Sequence, residues 1–234
     1  MPAPPAAVNA PDARKRDAIA SPRTEPDPWV DGHALGVEGT LRGGSRIGST
    51  SFVTDSEERA GLGFDLAAWF RLAPEYTFGL AVKRMDLGSI AYTAGQSTIN
   101  ADYATTALEL GGRAFPLHGD DGELFLGLRV GLAWQDVEAT GLRPSLNLQP
   151  SQPFSCSDVA GPGFALGAEL GGSLRLTRSF WLTGSVGADG YHLTSDAVGD
   201  CVGGIGSVTA VSLGAGLLYA FDLGRDAKLS ATAR

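Results

Sequence analysis

Along most of this chain apolar and polar residues alternate one by one. The pattern starts near residue 33 and recurs in eight stretches, roughly 33–42, 61–73, 76–87, 101–116, 122–136, 163–177, 179–193 and 207–223. A period of two predicts strands, because successive side chains leave a strand on opposite faces. One face is apolar. In the second stretch it reads Leu62, Phe64, Leu66, Ala68, Phe70, Leu72; in the fifth, Leu124, Leu126, Leu128, Val130, Leu132, Trp134; in the last, Val211, Leu213, Ala215, Leu217, Tyr219, Phe221. The other face sets glycine beside isolated charges: Glu38, Arg42, Asp65, Arg71, Lys83, Glu109, Arg113, Arg129, Glu169, Arg175, Asp189 and Asp222. These are six acids and six bases, so that face is neutral as a set.

The connections have a rhythm of their own. Those after the second, fourth and sixth stretches are short, around Pro74-Glu75, around His118–Asp121 and at Arg178. Those after the first, third, fifth and seventh are long, about 43–60, 88–100, 137–162 and 194–206. An antiparallel up-and-down sheet gives this rhythm when all long loops gather at one end. Each stretch is long enough to cross a bilayer as a tilted strand of about 9–11 residues. Residues 201–221 carry no charge and have the length of a membrane-spanning helix, but five glycines and the alternation of the second half predict a strand there too.

Alternation does not say which face points outward. A soluble barrel of the lipocalin kind turns its apolar face inward, around a ligand. Composition decides. Glycine is 33 of 234 residues, about twice ordinary usage. Glycine in a strand packs nothing, so it suits a crowded interior, and the interior of eight strands is just wide enough for side chains to fill. Matched acids and bases fit a buried lumen, where an unpaired charge is costly. The chain as a whole stands at −8, so its excess negative charge falls in turns, loops and ends. That balance, without a Lys/Arg stripe, argues against a nucleic-acid surface. The expected fold is therefore all-β, an eight-stranded antiparallel up-and-down transmembrane barrel with its apolar face toward lipid. Phe70, Tyr76, Phe78, Phe180, Tyr219 and Phe221 fall near the short-turn ends, and Trp134 and Phe164 near the long-loop ends, as two interfacial girdles require.

Strand count, loop rhythm and interior charge over residues 30–223 resemble the eight-stranded outer-membrane barrels, the OmpA/OmpX-like group. The resemblance is architectural and rests on no diagnostic motif. It implies a bacterial outer membrane, with short turns toward the periplasm and long loops outside. Such barrels commonly end on an aromatic of the last strand. Here Phe221 is followed by a polar tail, 224–234.

Seven of the thirteen prolines lie in the first 28 residues, so a disordered segment is expected through residue 29. Arg14, Lys15 and Arg16 look like the start of a signal peptide, but the apolar run that should follow is missing. Either the signal has been removed, the start is misplaced, or the chain is not exported. Cys156 and Cys201 fall in neighbouring long connections, and an oxidising exterior allows a disulfide between them. His33 and His118 are expected in solvent. The run Tyr191–Asp196 is reminiscent of the outer-membrane lipid A deacylases, where a His and a Ser two residues apart act with a carboxylate. Two residues after His192 comes Thr194, so the pattern fails at the nucleophile. His118-Gly-Asp120-Asp121-Gly122-Glu123 lacks the spacing of a calcium loop and reads as an Asp-Gly turn.

The candidate site is thus the lumen, with a charge network of Glu38, Asp65, Lys83, Glu109, Arg113, Arg129, Glu169, Arg175 and Asp189. The expected role is non-enzymatic, structural or surface-interacting, with the lumen plugged by salt bridges. A small ion channel and a soluble ligand-binding barrel are the alternatives. No cofactor and no metal are expected. The expected partners are outer-membrane lipids and an extracellular partner at the long loops, with the chain a monomer.

Overall fold

The computed structural model describes residues 29–30, 34–49, 56–58, 60–94, 97–143 and 152–223. Eight strands close into a ring: β1 (Ala34–Ser49), β2 (Ala60–Ala73), β3 (Tyr76–Ala94), β4 (Ser97–His118), β5 (Gly122–Arg143), β6 (Gln152–Arg175), β7 (Phe180–His192) and β8 (Ser207–Asp222). Each pairs antiparallel with its neighbours in sequence, and β1 closes on β8. A three-residue strand, Ser56–Glu58, adds to the outer part of β3. Closure leaves no ladder edge within the barrel wall, the condition for placing strands in lipid. The three short turns lie where the sequence predicts them. Among the described residues no helix is long and apolar enough to cross a membrane, and residues 207–222 are strand.

The apolar face is outside. Leu128 is 67% exposed and its neighbour Arg129 is 5% exposed. Leu126, Val130 and Leu132 share the outer face of Leu128, while Glu38, Asp65, Lys83, Glu109, Arg113, Glu169 and Asp189 are buried in the lumen. A belt of leucine, valine and phenylalanine this extensive is incompatible with water as the surrounding solvent. The lipocalin-like alternative is overturned by this orientation.

Strand length departs from expectation. Stretches read as loops, 88–100 and 137–162, are largely strand: β3 continues to Ala94, β4 begins at Ser97, β5 continues to Arg143 and β6 begins at Gln152. β1 likewise runs past residue 42 to Ser49. The reason is a change of solvent. Beyond the belt the outward face meets water, so Asn100, Asp102, Glu138 and Thr140 point out while Ala101, Tyr103, Val137 and Ala139 are buried. The apolar parity reverses along one continuous strand, and the alternation of the belt stops there. Register shifts at Asp86/Gly88 and Ala133/Gln135 add to the break in pattern.

The expected disordered segment 1–29 and tail 224–234 lie outside the described residues, save Trp29, which is packed inside the barrel and 1% exposed. His33 also lies outside them.

Candidate functional site

The lumen is filled in three layers. At the short-turn end the indoles of Trp29, Trp69 and Trp181 are buried with Ala67, Ala81 and Leu218. Arg71 bonds Glu123 at 2.7 Å among them, its guanidinium 4.2 Å from the Phe115 ring centre. At the long-loop end lies an apolar layer of Met85, Leu87, Tyr103, Val137 and Tyr191. It is capped by the connection between β7 and β8, which folds into the mouth and buries Leu193, Val198 and Ile205. Cys201 of that connection is joined to Cys156 on β6.

Between these layers is the charge network. Inward positions on seven strands, β1 to β7, bring it together. Glu169 on β6 accepts from Arg113 Nε at 2.8 Å, Arg42 Nη2 at 3.2 Å and Arg129 Nη2 at 3.3 Å. Asp65 accepts from Arg42 at 3.0 Å and also from Arg129. Glu38 accepts from Arg113 at 2.6 Å and from the Trp69 indole Nε1 at 2.7 Å. Lys83 pairs with Asp189 at 2.5 Å, and Glu109 lies 3.9 Å from Arg129. Stacking adds to the solvation of Arg113 and Arg129. Arg113 lies 4.2 Å from the ring centres of both Trp69 and Phe125. Aromatic faces and shared carboxylates replace the water these guanidiniums lose, which is the condition for burying charge.

One residue of the predicted network sits elsewhere. Arg175 is at the turn between β6 and β7, where Nε and Nη1 donate to the carbonyls of Thr177 and Asp120, both at 3.4 Å. Of Asp222 the side chain lies outside the described residues. Arg46 and Glu123 join the buried charges instead, and the balance is again six acids and six bases among the described residues. Parity pointed to both. Arg46 continues the inward series Glu38, Arg42 past residue 42, and Glu123 starts the series Phe125, Gly127, Arg129 from within the Asp-Gly turn.

The other candidates separate from the lumen. His192 is on the outward face and shares a 2.7 Å hydrogen bond with Ser207 Oγ across β7 and β8. His118 Nδ1 is 3.3 Å from the Phe115 carbonyl. On the lipid face Phe180, Tyr219 and Phe221 pack edge to face, with centroids 4.8 and 4.6 Å apart, at the short-turn end.

No family model matches the chain, and no curated protein matches its sequence. The crystal structure of Neisserial surface protein A (NspA) is similar over 80% of this chain and 99% of that one, with a TM-score of 0.52 at 15% identity. The fold is that of an outer-membrane β-barrel. Looser likenesses are Ail, the attachment invasion locus protein of Yersinia pestis (82% of this chain, 99% of that chain, 14% identity, TM-score 0.45), and the outer membrane protease OmpT from Escherichia coli (82%, 97%, 10% identity, TM-score 0.42). At such identities a likeness carries architecture and leaves activity to the site. Fold and apolar belt together make the bacterial outer membrane the place of this barrel, with lipid around its middle.

Proposed function

We propose that the protein is a non-enzymatic structural or surface-interaction barrel whose lumen is closed by its ion pairs. One observation carries this reading. The void left between Arg42, Lys83, Arg129, Glu169 and Asp189 measures about 10 Å³, no more than the space one water molecule needs. A hydrated ion has no path through such a layer unless several ion pairs separate together. The polar outward face of β4 and β5 beyond the belt, with Asn100, Asp102 and Glu138, supports a contact surface for an extracellular partner. A monomer suffices, since the ring closes on itself.

Planar-bilayer recording on the refolded protein tests it. The closed barrel gives no steady current. Stable unitary conductance, altered by Arg129→Ala or Glu169→Gln, favours the small channel instead.

A further inference from the structure

The inner mouth of the lumen is stopped by a residue that belongs to no strand. Trp29 precedes β1, yet it is 1% exposed, and Val30 beside it is 9% exposed. Its Nε1 donates to Glu123 Oε1 at 2.8 Å. The same carboxylate accepts from Ser173 Oγ at 3.0 Å and from Arg71 Nη1 at 2.7 Å. The Arg71 guanidinium lies 5.1 Å from the centre of the indole. Across the ring is Gly36 on β1, where an added Cβ would come within 2.7 Å of the indole Cζ3. Shape, hydrogen bonding and charge all converge on an indole.

We infer that Trp29 is a removable plug, seated in a socket that Glu123, Arg71, Ser173 and Gly36 build at the inner mouth. Removal breaks no bond between strands, because Trp29 lies outside every ladder. The Glu123 carboxylate keeps Arg71 and Ser173 as partners when the indole leaves, so the socket survives empty. Seated, the plug keeps water from the inner layer; withdrawn, it opens that layer as far as Trp69 and leaves the charge network above untouched. This holds whether or not the charge layer conducts.

The described cysteines form a disulfide, so an introduced thiol reports by itself. Ser173→Cys places one in the socket and Thr105→Cys places one in the outer half, both at buried sites. The probe is a trimethylammonium methanethiosulfonate on protein refolded in detergent, with unboiled gel mobility as the check on folding. Protection of the Cys at 173 is expected, with at least tenfold faster labelling in Trp29→Ala or in Gly36→Val, which displaces the indole while Trp29 remains. The rate at 105 stays constant. Equal rates at 173 with and without the indole overturn the plug, and so does a parallel rise at both reporters. On the unaltered protein, the Trp29 indole N–H exchanges with deuterium faster than that of Trp69, which is bonded to Glu38. Exchange of Trp29 only through global unfolding overturns the plug without any variant.

Discussion

Arg113 on β4 and Glu169 on β6 meet at 2.8 Å across β5, the strand between them. They meet there because β5 offers Gly127 at the crossing: a Cβ at that position would come within 2.6 Å of Glu169 Cγ. Gly127→Val therefore displaces a carboxylate that three guanidiniums hold. Crowding of this kind costs about 1–3 kcal/mol. Urea unfolding in detergent should show that loss. A midpoint equal to wild type means that the Glu169 side chain is free to move aside.

The Lys83–Asp189 pair, 2.5 Å apart, tests what the buried charges contribute. Removing one partner strands the other in the lumen and costs about 3–5 kcal/mol, whereas replacing both with apolar residues of similar volume is often neutral. Lys83→Met and Asp189→Leu should each destabilise strongly, and the double variant should recover most of the loss. Additive losses in a double-mutant cycle would mean that the two side chains do not interact.

Leu128 marks the middle of the belt. Arginine on the lipid face near the bilayer midplane costs about 2–4 kcal/mol. Leu128→Arg should lose that much in refolding into lipid vesicles, whereas Ser157→Arg, on the part of β6 beyond the belt, should be nearly neutral. Equal behaviour of the two would remove Leu128 from the bilayer.

Within the belt the sequence is easy to read. Leu124 to Leu132 face lipid and Arg129 faces inward, and a single solvent on each side keeps the alternation regular. Reading fails where the solvent changes. At Ala101 and Tyr103 the apolar parity reverses as β4 passes into water, so the alternation that marks a strand is lost there. Arg175 keeps the inward parity of Glu169 but sits at the rim, where turn carbonyls take it; parity tells the face of a residue and not its height. Trp29 gave no signal, being one aromatic in a proline-rich stretch without period. Its partner Glu123 lies 94 residues away, a relation created only by closing the ring.

Tyr103 lies beyond the belt, its hydroxyl 2.7 Å from that of Tyr92 and donating to the Gly203 carbonyl at 2.9 Å. Burial first, and the Tyr92 hydrogen bond second, push its ionisation well above the ordinary range. In the unfolded chain the phenol ionises near pH 10. Above that pH the unfolded state holds fewer protons than the folded state. The contribution to stability is therefore complete below about pH 10 and declines as pH rises further, by up to about 1.4 kcal/mol per pH unit. Tyr103→Phe should flatten this alkaline decline, followed as denaturation midpoint against pH. An unchanged slope would assign the alkaline loss to other groups.

The Cys156–Cys201 disulfide closes 45 residues of chain, worth roughly 4 kcal/mol in the chain-entropy model. That figure describes the unfolded state, and in the folded barrel the effect is local. β6 and β7 are already joined by a short turn and a full ladder. What the cross-link adds is a tie between β6 and the connection that caps the outer mouth. Leu193, Val198 and Ile205 hold the same connection by burial, so two independent restraints act on it. Reduction removes one of them. Amide hydrogen exchange in residues 193–206 should rise under reducing conditions and in a Cys156→Ser, Cys201→Ser double variant, while the β5 amides from Leu126 to Leu132 keep their protection. If the cap exchanges at the same rate with and without the disulfide, apolar burial alone seals the mouth.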